Sequence, residues 1–417
     1  MDVMPLTLLL DLDETLLDSN IDVFVPAYLK KLAGFLANRV DPQRLIKELL
    51  FGRSLMFQNE RPDLTLDDVF SRHFYPTLGV DRAELKPELD RFYADIFPSL
   101  KEICAPQPAA VEMVECAFKR GWRVVIATNP VFPRETIEHR LRWANLPPEK
   151  YPFALVTSME NSHFAKTVPA YYAEILGNLG WPAGPVVMVG DDPIKDIEAA
   201  TKAGLPVFWI RPEGKSLPDI STLLSRRPPV GNASLALVPQ GTILDFCGWI
   251  QTVNFDQLQP NLKTHEALIS SLQSTPAVLD TLIRSLKPAE WTARAHKDEW
   301  ALTEIFCHLR DLEAEVNLPR LEMLTTEENA FITGQDTDPW AKERDYIKQD
   351  GLIAFRDFVV TRIKLVEKLK SLSVEGWQRR ARHTIFGPTH LQELVGFMAE
   401  HDRTHIQQAM ALLAAIR

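Results

Sequence analysis

Two acids one residue apart, Asp11 and Asp13, close the apolar run Leu8-Leu9-Leu10 and are followed by Glu14-Thr15. In an extended strand alternate side chains share a face, so both carboxylates project to one side while Leu12 points away. Like charges held that close are costly unless they share a cation or retain a proton. The pair therefore suits a divalent metal together with a nucleophile and an acid/base partner, and an oxygen-only site points to Mg²⁺. That is the chemistry of phosphoryl transfer.

Three later segments supply what such a pair needs. Val124-Val125-Ile126-Ala127 leads into Thr128 and Asn129, a hydroxyl and an amide suited to phosphate oxygens. Lys166 offers a fixed positive charge against the nucleophile and the transferred group. Val189-Gly190-Asp191-Asp192-Pro193-Ile194-Lys195-Asp196 ends another apolar run in carboxylates. Singly each is commonplace: Thr-Asn after a strand caps helices, a lone Lys is usually solvated, and Gly-Asp-Asp is often a turn. Their order, each beside an apolar strand, carries the reading.

A second group of candidates lies near the C-terminus. His401 and His405, in His401-Asp402-Arg403-Thr404-His405, have the i, i+4 spacing that puts both imidazoles on one helical face. His308, in Ile305-Phe306-Cys307-His308-Leu309-Arg310-Asp311, is placed to face them from another helix. Three imidazoles with open positions make a transition-metal site, although an HxxxH pair alone is more often surface. Cys307 points about 100° away from His308 around a helix and reads as a buried structural thiol.

The elements that must position these residues follow from length and pattern. At 417 residues the chain exceeds one ordinary core, and 46% hydrophobic with 24% charged residues is an ordinary globular composition. A net charge of -10 argues against nucleic acid as a partner. Cys104, Cys116, Cys247 and Cys307 lack CxxC spacing, which fits free thiols and a cytoplasmic setting. The first apolar run stops at Asp11, short of a signal or spanning segment, so no membrane role is expected.

Strand-like runs at 7–10, 123–127, 153–157, 186–189 and 207–210 predict an α/β Rossmann-like parallel sheet, its core formed by 1–17 and 109–212. Helical periodicity over 18–108 predicts an inserted helical cap. Segment 213–260, rich in Pro, Gly and Ser, reads as a linker. Amphipathic stretches at 265–286, 298–325, 350–372 and 389–416 predict an all-α four-helix bundle domain over 261–417. Its second connection, 326–349, is long for a bundle loop.

With the motifs in hand, the N-terminal half resembles the haloacid dehalogenase (HAD) superfamily through Asp11-Leu12-Asp13-Glu14-Thr15, Thr128-Asn129, Lys166 and the 190–196 acid cluster. The resemblance implies that Asp11 attacks phosphorus to give an aspartyl-phosphate, and that Asp13 protonates the leaving oxygen and then deprotonates water. Asp11, the Asp13 backbone carbonyl and Asp191 would hold Mg²⁺, with Asp192 and Asp196 as further acids. Thr128, Asn129 and Lys166 would bind the transferred group. Dehalogenases of the superfamily lack an acid at the position of Asp13, because halide leaves without a proton. Asp13 therefore favours a phosphatase, with a haloacid dehalogenase-type hydrolase as the alternative. Lys166-Thr167-Val168-Pro169 departs from the common Lys-Pro. A cap of this kind implies a small phosphorylated metabolite as substrate; its polar residues Arg53, His73 and Arg82 read as solvated and stay unassigned.

From about Leu262 onward the chain resembles DinB/YfiT-like metal-binding bundles, on the segment Trp300 to Glu313 and on Phe386-Gly387-Pro388-Thr389 leading into His401 and His405. That resemblance implies His308, His401 and His405 as ligands of Zn²⁺ or Ni²⁺ and homodimerisation through the bundle. It leaves two other readings open: a metal-dependent thiol or small-group transferase centred on the bundle with a regulatory first half, and a non-catalytic binding module.

Overall fold

The computed structural model describes residues 5–211 and 238–417. Six strands, β1 (Thr7–Leu10), β4 (Arg123–Ile126), β5 (Leu155–Val156), β6 (Val186–Gly190), β7 (Val207–Ile210) and β8 (Gln240–Gly241), form one sheet in the order β5-β4-β1-β6-β7-β8. All of its pairings are parallel. A two-residue ribbon, β2 (Leu17–Asp18) with β3 (Ala105–Pro106), closes the base of the cap insertion. The cap itself is helical, running from Ile21–Phe35 through Pro42–Gln58, Leu66–Leu78 and Arg82–Arg91 to the irregular turns Phe92–Ile96 and Phe97–Ile103.

Alternation along the strands decides what each sheet face touches. Leu8, Leu10, Val124, Ile126, Val187 and Val189 join a core that runs into the cap. Leu9, Val125, Val186 and Met188 point the other way, into a core shared with Val278, Ile305, Phe306 and Ile406 of the C-terminal domain. The mediator is the helix Ala170–Asn178, in which every residue from Ala170 to Gly177 is buried. A Cβ at Gly177 would overlap Val278, so this glycine is what lets the first bundle helix approach so closely. The bundle is thus a layer of the α/β unit, not a module hung beside it.

The bundle helices are His265–Ile283, Leu302–Leu312, Gly351–Lys370 and Leu391–Ile416. The second continues through a π turn, Glu313–Asn317, into Leu318–Thr326. At that turn buried Glu313 meets Arg362 of the third helix at 2.5 Å, and Arg362 also pairs with Asp402 of the fourth. The long second connection holds β9 (Ala330–Ile332), which joins β10 (Arg380–His383) and β11 (Gly387–His390) in a small sheet that the sequence pattern did not predict.

The linker expected over 213–260 needs correction. Residues 212–237 lie outside the described residues, but 240–252 belong to the core: β8 extends the sheet and the helix Ile243–Thr252 packs on it. Phe246 is buried against Phe208, ring centroids 5.2 Å apart, and Thr242 with Asp245 forms a capping box. The burial of Ile243, Phe246 and Ile250 explains why the segment folds despite its turn-rich surroundings.

Candidate active site and candidate metal centre

β1 delivers Asp11 to the carboxyl end of the sheet, where its backbone N donates to Val189 O of β6 at 3.0 Å. Lys166, fully buried, sets its ammonium between Asp11 (2.6 Å) and Asp196 (2.5 Å). Asp196 folds back over the end of β6, and its Oδ2 accepts the Asp192 backbone N at 2.9 Å. Gly190 makes room for it, since a Cβ there would overlap the Asp196 carboxylate. Trp209 Nε1 donates to Asp191 O at 2.8 Å and fixes the third acid. One carboxylate oxygen from each of Asp11, Asp191 and Asp196 lies within 4.8 Å of the others.

Three carboxylates against one ammonium leave two negative charges in a largely buried cluster. Burial first, then Asp196 and Asp13 working against Lys166, pushes the Asp11 carboxyl up to about 7. Burial and the neighbouring Asp11, Asp196 and Asp192 push Asp191 up to about 9. An oxygen-ligated divalent cation fits this cluster in charge and in donor type.

The remaining predicted residues divide. Thr128 is buried just beyond β4, its backbone O accepting from Tyr171 OH at 2.8 Å and Thr157 Oγ1 at 2.9 Å. Asn129 Oδ1 accepts the Lys166 backbone N at 3.3 Å, so it ties the lysine loop to the β4 loop. Asp192 does not join the acid cluster: its carboxylate caps the turn that follows, accepting Ile194 N and Lys195 N at 2.9 Å each, and pairs with the Lys195 ammonium.

Asp13 also stands apart from the triad. Glu14, at φ 59, turns the chain just beyond it, and the Asp13 carboxylate accepts from Ser19 Oγ at 2.8 Å and Arg140 Nη1 at 2.5 Å. Arg140 is buried, its guanidinium 4.7 Å from the Phe132 ring, and among the described residues its Nε and Nη2 have no hydrogen-bond partner. Sequence reading missed Arg140. Its signal was a charge at i+3 from Ile137 and i−1 from Leu141, on the core-facing side of the helix Arg134–Trp143.

It missed His163 too, three residues before Lys166. His163 Nδ1 lies 2.7 Å from Glu174 and Nε2 lies 2.9 Å from Asp280 of the first bundle helix. Arg284, one turn on, pairs with Asp280 and reaches Asp68 of the cap at 2.6 Å. Asp68 belongs to the capping box that starts the cap helix Leu66–Leu78. The core loop that carries Lys166, the cap and the bundle thus meet in one line of charges.

In the bundle, His308, His401 and His405 converge through their Nε2 atoms, 3.2 Å between His308 and His401 and 3.1 Å between His401 and His405. Burial and the neighbouring imidazoles hold His308 down to about 3 and His405 to about 4, so the trio is neutral near pH 7. Neutral imidazoles with converging lone pairs fit a transition-metal ion. His405 Nδ1 is oriented by Gln408 at 2.8 Å, whereas His308 and His401 Nδ1 are buried without a hydrogen-bond partner among the described residues. Trp300 stacks parallel on His405 at 5.9 Å. Cys307 faces Gln349, 3.7 Å away, and burial pushes its thiol up to about 11, which suits a structural residue rather than a nucleophile.

Residues 6–204 match the family model of haloacid dehalogenase-like hydrolases, and residues 271–409 match that of the DinB superfamily. The chain joins a HAD-like hydrolase domain to a DinB-like domain. Similar solved structures include a HAD phosphatase from Thermococcus onnurineus (16% identity, TM-score 0.38, covering 59% of this chain and 98% of that one). Another is a 2-haloacid dehalogenase from Pseudomonas syringae pv. Tomato DC3000 (23%, 0.37, 54% and 99%). YfiT from Bacillus subtilis, a four-helix bundle of unusual topology, aligns at 17% identity and TM-score 0.33, covering 39% of this chain and 88% of that one. No curated protein matches the chain. Among the described residues no helix is long and apolar enough to cross a membrane.

Proposed function

We propose that the HAD-like half is a Mg²⁺-dependent phosphomonoesterase working through an aspartyl-phosphate on Asp11, and that the bundle's histidine trio holds Zn²⁺ or Ni²⁺. The observation that carries the first reading is the Asp11, Asp191, Asp196 cluster with Lys166 inside it. Asp11, Asp191 and Asp196 are the side chains that would hold Mg²⁺, which when bound neutralises the cluster and the phosphoryl oxygens.

An Asp11 carboxylate oxygen attacks phosphorus, the bond from phosphorus to the leaving oxygen breaks, and Asp13 gives that oxygen its proton. Water then attacks the acyl-phosphate, Asp13 takes its proton, and inorganic phosphate leaves with Asp11 restored. Lys166 favours the ionised form of Asp11 against the effect of burial and offsets the developing charge. To act, Asp13 must exchange Arg140 and Ser19 for the leaving oxygen.

The expected outcome is phosphate release from a phosphomonoester panel in the presence of Mg²⁺, abolished by Asp11→Asn. No release from any ester, or full activity in Asp11→Asn, overturns it. The clamp on Asp13 favours one second reading, a hydrolase of the dehalogenase type, because Arg140 and Ser19 occupy the carboxylate that would have to reach a leaving oxygen. Halide release from 2-haloacids in the same assay, without phosphate release, would establish that alternative.

A further inference from the structure

Between the cap and the loops after β4 and β5 lies a cavity of about 430 Å³, within the size range of small-molecule sites. Its floor includes Val131 and Phe132, just past Asn129, and Met159, just past β5. It therefore sits beyond the carboxyl ends of strands, where ligands of open α/β sheets bind. Phe132 joins the cavity to the catalytic residues: the same ring packs on Arg140, which holds Asp13.

The cavity wall is not that of a pocket for a sugar or a polyol. Tyr28, Met56, Phe70, Phe74, Tyr93 and Phe132 all line it. The two tyrosine hydroxyls lie 3.2 Å apart and share one hydrogen bond, so the pair offers mainly ring faces and a single remaining O–H. The charged residues of the rim are matched among themselves. Arg82 pairs with Asp67 at 2.9 Å, Lys86 with Asp90 at 2.6 Å and Arg134 with Glu138 at 2.8 Å. Glu160 accepts the Arg134 backbone N at 3.1 Å, and Glu135 has Lys86 within electrostatic reach.

Arg53 breaks the pattern. It lines the cavity half-buried, its guanidinium 5.1 Å from the Phe57 ring, and among the described residues it has neither a hydrogen bond nor an ion pair. Burial alone lowers its pKa, with no carboxylate to oppose that. A guanidinium partly removed from water without a partner is costly, and an incoming anion relieves the cost.

We propose that this cavity receives the organic part of the phosphomonoester, that this part is apolar, and that it carries one further anionic group paired to Arg53. The inference rests on the phosphatase reading for the placement of the phosphate, and it excludes small polar esters as the preferred substrates. The probes are 6-carboxy-2-naphthyl phosphate, 2-naphthyl phosphate and glycerol 3-phosphate, assayed with Mg²⁺ on the full chain and on Arg53→Met and Arg53→Lys.

In the native protein kcat/KM for the carboxylated naphthyl ester should exceed that for the plain one by about tenfold or more, the effect of one charge-assisted hydrogen bond. Both should exceed glycerol 3-phosphate by a wider margin. Arg53→Met should bring the carboxyl preference close to one, and Arg53→Lys should retain part of it. Glycerol 3-phosphate as the best of the three, or a carboxyl preference untouched in Arg53→Met, overturns the proposal. Binding of 6-hydroxy-2-naphthoate, followed by its fluorescence, gives a readout without turnover. Binding about tenfold weaker in Arg53→Met supports the cavity assignment even if no ester is hydrolysed, a result that would sink only the catalytic reading. Equal binding in both sinks the cavity assignment.

Discussion

The acidic cluster of the α/β half and the histidine trio of the bundle are both arranged around a point where a cation fits, yet they are built on opposite electrostatic terms. Asp11, Asp191 and Asp196 carry more charge than Lys166 offsets, and two of the three are driven toward protonation. The three histidines are neutral imidazoles in a largely buried pocket. The acids are also held from several sides: by Lys166, by the Asp192 backbone, by Trp209 through the Asp191 carbonyl, and by the space Gly190 leaves. Of these three histidines, only His405 has its second nitrogen oriented among the described residues. Rigid surroundings suit the proposed role of the acids in holding reacting atoms in register, whereas the trio would leave its orientation to the ion proposed for it.

The sharpest way to break this contrast is to disturb the acids without touching one. Gly190→Ala should displace Asp196 by more than the roughly 1 Å that costs about 100-fold in turnover, while the far-ultraviolet circular dichroism stays native. Near-normal kcat in that variant would mean that Asp196 is not needed where the structure puts it.

The next effect tests the line of charges that joins the two halves. Burial alone would lower the His163 pKa, but Glu174 and Asp280 on its two nitrogens raise it to about 9, against an ordinary 6.5. The folded value is the higher one. The stabilisation is therefore fully present below about pH 6.5 and is lost as pH rises through about 9, a change of about 3 kcal/mol. Thermal unfolding between pH 6 and 10 should show this loss in the native protein and much less of it in Asp280→Asn. Parallel curves for the two proteins would remove His163 as the link.

How much of this was readable in the sequence depends on the range of the interaction. Asp11, Thr128 and Asp191 each follow an apolar strand, and that local pattern marked them as candidates, whereas Lys166, in the loop between β5 and the helix Ala170–Asn178, was singled out by its charge. The bundle helices were legible for the same reason, through i, i+3, i+4 periodicity. Arg140 on Asp13 and Asp280 on His163 join residues more than a hundred positions apart, with no pattern to announce them. The close approach of Gly177 to Val278 is equally silent, because a helix glycine reads as a weakness until its neighbour is known. Asp192 and Asp196 were not separable in the sequence, because an acid that caps a turn and an acid that joins a carboxylate cluster look alike around a Gly-Asp-Asp run. The helix Ile243–Thr252 was hidden by the composition of its surroundings, although its capping box was there to be read.

On the bundle side, His401→Ala removes the histidine whose Nε2 faces both others. Transition-metal affinity should fall by more than the 10- to 100-fold typical of losing a mere supporting partner, with phosphate release unchanged. Equal metal content in the variant and the native protein would take away the proposed centre. A parallel fall in phosphate release would instead show that the two clusters work as one unit.

The smallest expected effect separates a buried link from a superficial one. Lys370 of the third bundle helix also reaches the cap, 2.6 Å from Glu60, but the two side chains are 35% and 64% exposed. An exposed pair of that kind contributes about 0.2–1 kcal/mol and is screened by salt. A double-mutant cycle of Lys370→Ala and Glu60→Ala should therefore give a coupling below about 1 kcal/mol that shrinks further at high ionic strength. The equivalent cycle of Asp280→Asn and His163→Gln should give a larger and more salt-resistant term, because the His163 ring is sealed from solvent. If the two couplings prove equal, the bundle holds the cap and core through surface charge and apolar contact alone, and the buried line from His163 to Asp68 loses its special role.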